Sequence, residues 1–211
     1  MASNSTFSPR SRARLASGHL AALLLGLVLI VPDAKAIAFC ALRDPDRQIR
    51  ELFPESTAHL SSVALIDAKA REAVLQSLPF DFHAREFGRH TLYVVLNGDE
   101  RIGFVHSRTE ASNWGLMEVV WALDPDLRIR GFRFQRCRGP GCPVAQSESA
   151  RELMEGRSAT ELLEALDNQS WQAAIASSPE LAPHAELLEA LARSAVKTIQ
   201  VTAAIWNDEI G

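Results

Sequence analysis

Residues 91–136 read TLYVVLNGDERIGFVHSRTEASNWGLMEVVWALDPDLRIRGFRFQR, and this stretch decides the fold. Much of it alternates apolar and polar side chains with a period of two, the spacing of β-strands that bury one face. Asn97-Gly98 separates two such runs and tolerates the positive φ angles of a tight hairpin turn. Asp124-Pro125-Asp126 is a second turn. The pattern predicts four strands joined as an antiparallel meander, at 91–97, 101–107, 116–123 and 127–136.

The fourth of these strands contains a phase slip. Leu127 and Ile129 share one side of the strand, whereas Phe132 and Phe134 carry the apolar side after Gly131. A glycine at such a slip is typical of a β-bulge, where one extra residue bends the strand.

Helical patterns precede the strands. Asp44-Pro45 predicts a helix start with Asp44 as its cap, and Pro54 ends that helix. A second helix is predicted from its cap Asp67 to Leu78. Its buried stripe is expected to hold Val74, Leu75 and Leu78.

Helical patterns also follow the strands. Helices are predicted at 147–155, 158–166 and 170–177, with Ser158 and Glu161 spaced as a capping box. The longest helix runs from about His184 to Trp206, with Leu188, Leu191, Ala195, Ile199, Thr202 and Trp206 on one stripe. The sequence therefore predicts an α+β domain, in which N-terminal helices and a long C-terminal helix pack on an antiparallel sheet of four or more strands.

The first 36 residues have the layout of a secretory signal peptide. Three arginines and no acid precede an uncharged run of thirteen residues, Leu20–Pro32, which is shorter than the roughly 20 residues that span a bilayer. Ala34 and Ala36 match the small-residue cleavage pattern. An uncleaved membrane anchor that extends the same run is the alternative. We expect cleavage and a single periplasmic or exported domain of residues 37–211, with membrane contact only if the segment stays uncleaved.

The cysteines favour one short disulfide. Cys137 and Cys142 flank Arg-Gly-Pro-Gly, a turn sequence that can bring two sulfurs into bonding range. An exported protein matures in an oxidising compartment, so we expect this bond to form. Cys40 is then either buried or paired with another chain. Two clustered cysteines without a nearby histidine do not make a zinc site, and no metal site is predicted.

Candidate chemistry is sparse elsewhere in the chain. The G-x-S-x-G, Walker and G-x-G-x-x-G motifs are absent, so no catalytic residue is predicted and an enzyme acting on its own is not favoured. The net charge of −4 gives no electrostatic case for nucleic acid. His83, His90 and His106 either converge around the sheet or are scattered, and their spacing favours scatter.

Arginines follow the fourth strand and continue past it. The set comprises Arg128, Arg130, Arg133, Arg136 and Arg138. One interpretation is a site for phosphate or an acidic partner, because guanidinium groups match phosphate oxygens. The other interpretation, which the alternation itself favours, is the solvated face of an amphipathic strand whose arginines pair with acids such as Glu118.

Four segments together carry a family resemblance. They are DPDRQIRELFPE (44–55), GRHTLYVVLNGDERIGFVHSRTE (88–110), EVVWALDPDLRIRGFRF (118–134) and RSAVKTIQVT (193–202). In this order they resemble the FMN-binding domain family of periplasmic electron-transfer proteins, the flavin-carrying subunits of sodium-pumping and related membrane oxidoreductases. The resemblance implies an FMN-binding electron-transfer module that serves a membrane or haem-containing redox partner.

The resemblance also suggests which residues would hold the cofactor. Trp114 and Trp121 would contact the flavin ring and Arg136 its phosphate, while Thr198 is the nearest counterpart of the family's flavin-bearing threonine. The Ser-Gly-Ala-Thr segment that carries covalent FMN in that family is absent here, so a bound flavin would be held without a covalent bond. The alternative function is a non-catalytic exported interaction or accessory domain that kept the fold without a flavin.

Overall fold

The structure is a computed structural model that describes residues 43–210. Its helices are α1 (Asp46–Leu52), α2 (Ala68–Ser77), α3 (Gly141–Ala145), α4 (Glu148–Glu152), α5 (Ala159–Asp167), α6 (Ser170–Ala176), α7 (Ala185–Ile205) and α8 (Asn207–Ile210). Its strands are β1 (Ala58–Leu65), β2 (Arg89–Asn97), β3 (Glu100–Ser112), β4 (Gly115–Leu123) and β5 (Ile129–Arg136). Two 3-10 turns lie at Ala84–Phe87 and Ala182–His184. The predicted leader segment and Cys40 lie outside the described residues.

The strands form one antiparallel sheet in the order β1-β2-β3-β4-β5. The predicted meander of four strands is confirmed as β2 to β5, with Gly98 in the hairpin turn at a φ of 59°. Ala122 pairs with Gly131 and Leu123 pairs with Ile129, which leaves Arg130 as the extra residue. The predicted β-bulge is therefore confirmed next to Gly131.

The first strand has no counterpart in the sequence prediction. β1 pairs with β2 over its whole length, from Ala58 opposite Leu96 to Leu65 opposite Arg89. Its sequence AHLSSVAL has two serines at the centre, and exposed side chains occur on both of its faces. A strand without one buried face lacks the period-two pattern, so periodicity could not find it.

Helix α7 packs on the sheet and supplies much of the main core. All six residues of its predicted stripe are buried, from Leu188 at the N-terminal end to Trp206 just after the helix. Trp121 of β4 is fully buried among the core residues, and its Nε1–H donates to Ser194 Oγ of α7 at 3.1 Å. The prediction of a long C-terminal helix on an antiparallel sheet is confirmed.

The short helix α1 covers part of the other face of the sheet. Ile49, Leu52 and Phe53 form a second apolar cluster with side chains of the three central strands. The Phe53 ring lies directly against Gly103 of β3, where a Cβ atom would be 2.7 Å from the ring and 2.4 Å from the Leu123 carbonyl oxygen. A glycine at 103 therefore lets α1 sit close to the sheet.

Four local predictions have mixed outcomes. Asp44 is not the cap of α1, because Pro45 occupies that position without a side-chain hydrogen bond. Asp67 does cap α2, accepting from the Ala70 N–H at 2.7 Å, and the capping box of Ser158 is present on α5. Leu75 was expected on the buried stripe of α2, but its exposed fraction is 45%, whereas Val74 is buried.

Among the helices of residues 43–210, none combines the length and the apolar character that crossing a lipid bilayer requires.

Candidate functional site

Four charged side chains form an ion cluster between β3, α7 and the 3-10 turn before β2. Its members are Glu86, Arg108, Glu110 and Lys197. Lys197 Nζ lies 3.1 Å from Glu110 Oε1 and 3.4 Å from Glu86 Oε1. The Arg108 guanidinium donates to Glu86 and lies 3.8 Å from Glu110. The side chains are 4–12% exposed, so two acids and two bases neutralise each other almost entirely out of water.

The 3-10 turn holds Glu86 in place. Its Oε2 accepts from the His83 backbone N–H at 2.6 Å and lies 3.5 Å from Lys197 Nζ, while its Oε1 accepts from Arg108 and lies 3.4 Å from Lys197 Nζ. Phe82 packs beneath them, with the Arg108 guanidinium 5.4 Å and the Lys197 amine 5.8 Å from its ring centre. The capping box and the aromatic ring therefore fix the cluster from the side of the turn.

Some hydrogen-bonding capacity in the cluster is unused. Arg108 Nε and Nη1 and Glu110 Oε2 are buried and have no hydrogen-bond partner among the atoms that the structure describes. A buried polar atom without a partner costs free energy, so each one needs an explanation, and a functional role is one of those known. The ion cluster is thus the strongest candidate for a functional site in residues 43–210.

Two histidines extend the ion cluster toward the C-terminal end of α7. His90 Nε2 lies 2.8 Å from the Glu86 backbone oxygen, and His90 Nδ1 lies 3.0 Å from His106 Nε2. His106 Nδ1 lies 2.8 Å from Thr202 Oγ1. Desolvation by burial lowers the pKa of His90 and lowers the pKa of His106 well below its usual value, with the nearby Arg108 adding to both shifts.

When both imidazoles are neutral, the hydrogen bonds from Thr202 through His106 and His90 to Glu86 all run in one direction. The Glu86 carbonyl can only accept, so His90 carries its hydrogen on Nε2 and accepts from His106 at Nδ1. His106 Nδ1 then accepts from the Thr202 hydroxyl, whose single hydrogen has the Thr198 carbonyl 2.8 Å away as its other acceptor. A proton added to His90 reverses the order: His90 donates to His106, His106 donates to Thr202, and Thr202 donates to the Thr198 carbonyl 2.8 Å away. The structure brings His90 and His106 together, which the expectation of scattered histidines missed.

An open cleft of about 640 Å³ lies beside the ion cluster. It is bounded by the segment after α2, the end of β3 and α7. Its charged lining consists of Asp81, Glu110, Glu186, Glu189, Arg193 and Lys197. Arg193 pairs with Glu189 and Lys197 pairs with Glu110, so the lining has an excess of two negative charges at Asp81 and Glu186. Both of these acids are exposed.

A second pocket, of about 360 Å³, shares Glu186 with the cleft. Trp114, with an exposed fraction of 56%, lines it. The predicted disulfide between Cys137 and Cys142 is present, and Gly139 lies inside its loop against the Trp114 ring. A Cβ atom at 139 would be 2.6 Å from Trp114 Cγ, and the φ there is +105°, so glycine suits this position.

The residues expected to hold a flavin fall into two groups. Trp121 and Thr198 are fully buried and both bond to Ser194, the threonine hydroxyl donating to its carbonyl at 2.7 Å. Trp114 and Arg136 reach the surface, and Arg136 lies 3.6 Å from Glu118. The two buried side chains present no surface to a ring or a phosphate in this structure, and FMN binding stays a prediction.

Four of the five arginines on β5 and its flanks make ion pairs. Arg128 pairs with Glu161 at 2.8 Å, Arg130 with Glu55 at 2.6 Å, Arg133 with Glu51 at 3.1 Å and Arg136 with Glu118 at 3.6 Å. These are the acid partners that the solvated-face interpretation requires. A phosphate would have to compete with four carboxylates for these guanidinium groups.

One group of side chains near the N-terminal end of α1 has the composition of a metal site. Asp44, Asp46 and His59 bring three ligand atoms within 4.8 Å of one another. Both aspartates are exposed, and Asp46 already pairs with His59 at 3.2 Å. We assign no metal to this group, because exposed acids next to a histidine are common without one.

Sequence reasoning missed the ion cluster, although part of its signal was present. Arg108 and Glu110 continue the inward-facing positions that Phe104 and His106 begin on β3, so charges stand where the alternation calls for core residues. Lys197 is likewise buried on α7 beside the apolar stripe. Charged residues at inward positions were the available sign of a buried site.

Comparison with protein families, with curated proteins and with solved structures finds no match to this chain.

Proposed function

We propose that this chain is an exported, non-catalytic binding domain whose cleft takes a ligand or partner segment that carries a positively charged group. The observation that carries the proposal is the excess of acid on the cleft of about 640 Å³ beside the buried ion cluster. A cleft of this size fits a small molecule or one or two peptide side chains.

The charge distribution favours a cation. Glu110 and Glu189 already pair with bases of α7, whereas Asp81 and Glu186 face the cleft without a basic partner among its lining residues. Phe80 lines the same cleft, and a cation over its ring would gain further attraction. The buried ion cluster below links β3, α7 and the 3-10 turn, so it fixes the separation of two walls of the cleft, β3 and α7.

Binding accounts for these groups better than catalysis does. Lys197 Nζ is contacted by carboxylates of Glu86 and Glu110, so its hydrogens are engaged and its position is fixed. His106 is fully buried and lines neither the cleft nor the second pocket. Among the cleft-lining residues there is no nucleophile next to a base that a third group orients.

Export is supported by two features. The chain begins with a segment that has the layout of a secretory signal peptide, and the disulfide between Cys137 and Cys142 suits an oxidising compartment. N-terminal sequencing of the chain recovered from its producing cells tests this part of the proposal. A chain retained in the cytosol with residues 1–36 intact and both cysteines reduced would contradict it.

A flavin-linked electron-transfer role is the second proposal, and the exposed Trp114 beside the pocket of about 360 Å³ is the observation that favours it. An aromatic ring at the rim of a pocket can stack on a flavin ring. An absorption spectrum of the purified chain decides this point. Flavin absorption that is lost after denaturation and filtration would support bound FMN, and a colourless protein would exclude it.

The cleft proposal is tested by NMR titration with arginine amide as a cationic probe and acetylglutamate as an anionic one. We expect arginine amide alone to shift backbone resonances of residues 186–197 and around Asp81. Asp81→Asn combined with Glu186→Gln should weaken binding about tenfold or more, because the two carboxylates that have no basic partner among the lining residues are neutralised. Glu148→Gln, on an exposed acid of α4, is the matched control. Equal binding of both probes, or unchanged affinity in the double variant, would contradict the proposal.

A further inference from the structure

Strand β1 lies at one end of the sheet, and its outer edge has no strand beside it in residues 43–210. Three of its large apolar side chains are exposed: Leu60 by 62%, Val63 by 54% and Leu65 by 64%. Leu60 and Val63 point to opposite faces of the sheet, because side chains alternate along a strand. We infer that β1 is an interaction surface for a second copy of this chain, whose β1 pairs with it antiparallel about a two-fold axis. This inference is independent of the proposed function.

The open edge of a strand is complementary to the edge of another strand. Unpaired backbone N–H and C=O groups along such an edge are satisfied by a further strand, and alternate side chains then contact on each face. A partner strand must offer apolar side chains on both faces to match β1. The sequence AHLSSVAL offers them itself.

Charge also favours a second copy. β1 contains no Lys, Arg, Asp or Glu, so two copies that meet near Ser61 and Ser62 bring no charged side chains of this strand face to face. Natural proteins usually protect an end strand with charges, prolines or bulges. β1 has none of these among its eight residues.

The opposite end of the sheet is protected, which limits the assembly to a pair. β5 carries three arginines and the bulge at Arg130. Ile129 also makes backbone hydrogen bonds with Gly156 and Arg157, at 2.7 and 2.9 Å. Within residues 43–210, one end of each sheet is therefore open and the other is protected, so pairing of β1 closes into a dimer of ten strands and does not continue into a fibre.

The contact is small, and this sets the expected strength. The eight residues of β1 are fewer than the roughly 20–30 residues a side of a standard interface, so the dimer should form and dissociate with concentration. Sedimentation equilibrium on the purified chain, with its N-terminus identified by mass spectrometry, measures this directly. We expect the average mass to rise toward twice the chain mass between about 10 µM and 1 mM.

Val63→Lys is the decisive variant, because it puts a positive charge on the strand edge near the two-fold axis and near the same charge of the second copy, and β1 offers no acid to pair with it. We expect it to weaken the dimer about tenfold or more. Leu75→Lys is the matched control, since Leu75 is an exposed apolar residue on α2, off the strand, and should leave the dimer intact. Circular dichroism checks that both variants are folded.

Amide hydrogen exchange gives a second readout that needs no variant. Amides of β1 in the wild-type chain should exchange more slowly as concentration rises, whereas those of β5 should not change. A monomer at every concentration would overturn the inference. So would a dimer that Val63→Lys leaves intact, or protection that appears elsewhere than on β1.

Discussion

The buried ion cluster and the arginine row along β5 contain the same kinds of charged side chain in opposite surroundings. Glu86, Arg108 and Lys197 have side chains only 4–7% exposed. On β5, Arg133 and its partner Glu51 are 29% and 43% exposed. The row is conspicuous in the sequence and the cluster is not, yet removing one charge from the cluster should cost several times more. Burial decides what an ion pair is worth.

The largest expected effect tests the buried side of this comparison. Lys197→Met should lower the free energy of unfolding by about 3–5 kcal/mol, because Glu86 and Glu110 would lose their shared cation inside the protein. Urea unfolding followed by circular dichroism measures the loss. Arg193→Met, one turn earlier on α7 and in an exposed pair with Glu189, should cost only about 0–1 kcal/mol. Equal losses of stability in the two variants would contradict the expectation that burial increases the cost of removing a charge.

The next effect is on pH dependence. Burial lowers the pKa of His90 and of His106 below the usual value of 6.5, so the unfolded chain binds more protons than the folded one as pH falls. Stability due to the neutral imidazoles is complete above pH 6.5 and is lost as pH falls from 6.5 toward the folded-state pKa values. The loss should approach about 1.4 kcal/mol per pH unit for each histidine.

Urea midpoints measured from pH 8 to pH 5 report this slope. The double variant His90→Gln, His106→Gln should show a shallower decline, because neither replacement takes up a proton. A wild-type slope no steeper than that of the double variant would contradict the expected burial of neutral histidines.

A smaller effect tests the exposed side. A double-mutant cycle on Arg133→Ala and Glu51→Ala should give a coupling energy of about 0.2–1 kcal/mol, because solvent screens this pair. The coupling should fall when salt is raised. A coupling energy equal to that of Lys197 with Glu110 would mean that burial does not separate the two regions.

The smallest effect concerns one carboxylate beside the row. The backbone and side chain of Ser158, and then Arg128, lower the pKa of the exposed Glu161 from 4.5 to about 2. Arg128→Met should raise that pKa while leaving it below 4.5, because the Ser158 hydrogen bonds remain. An NMR titration of the Glu161 side chain measures the change. A pKa that returns fully to 4.5 would assign the shift to Arg128 alone.

The fold was largely predictable because the apolar residues of its main helices and strands repeat with the period of that element. The stripe of α7 repeats every three or four residues, and β2 to β5 carry alternation and turn residues, so the sequence alone places them. β1 escaped because it is exposed on both faces and two serines interrupt its pattern. A strand at the end of a sheet is recognised by the strand with which it pairs, and the local sequence does not contain that pairing.

The candidate site was much less predictable, because its members are far apart in the chain. Lys197 and Glu86 are separated by 111 residues, and nothing near either one indicates the other. Arg108 and Glu110 did give a sign, as charged residues at inward positions of β3. The two tryptophans proposed for a flavin look alike in sequence, and only tertiary packing separates the buried Trp121 from the exposed Trp114.

The close seating of Phe53 on Gly103 bears on how mutational scanning of this chain should be interpreted. Every side chain larger than hydrogen at 103 would collide with the backbone of β4 and the ring that anchors α1. A scan would therefore find Gly103 no more tolerant of substitution than an essential residue of a functional site. The reason is steric, because the position has no space for a side chain. Intolerance to substitution marks function in this protein only at positions where steric exclusion has first been ruled out.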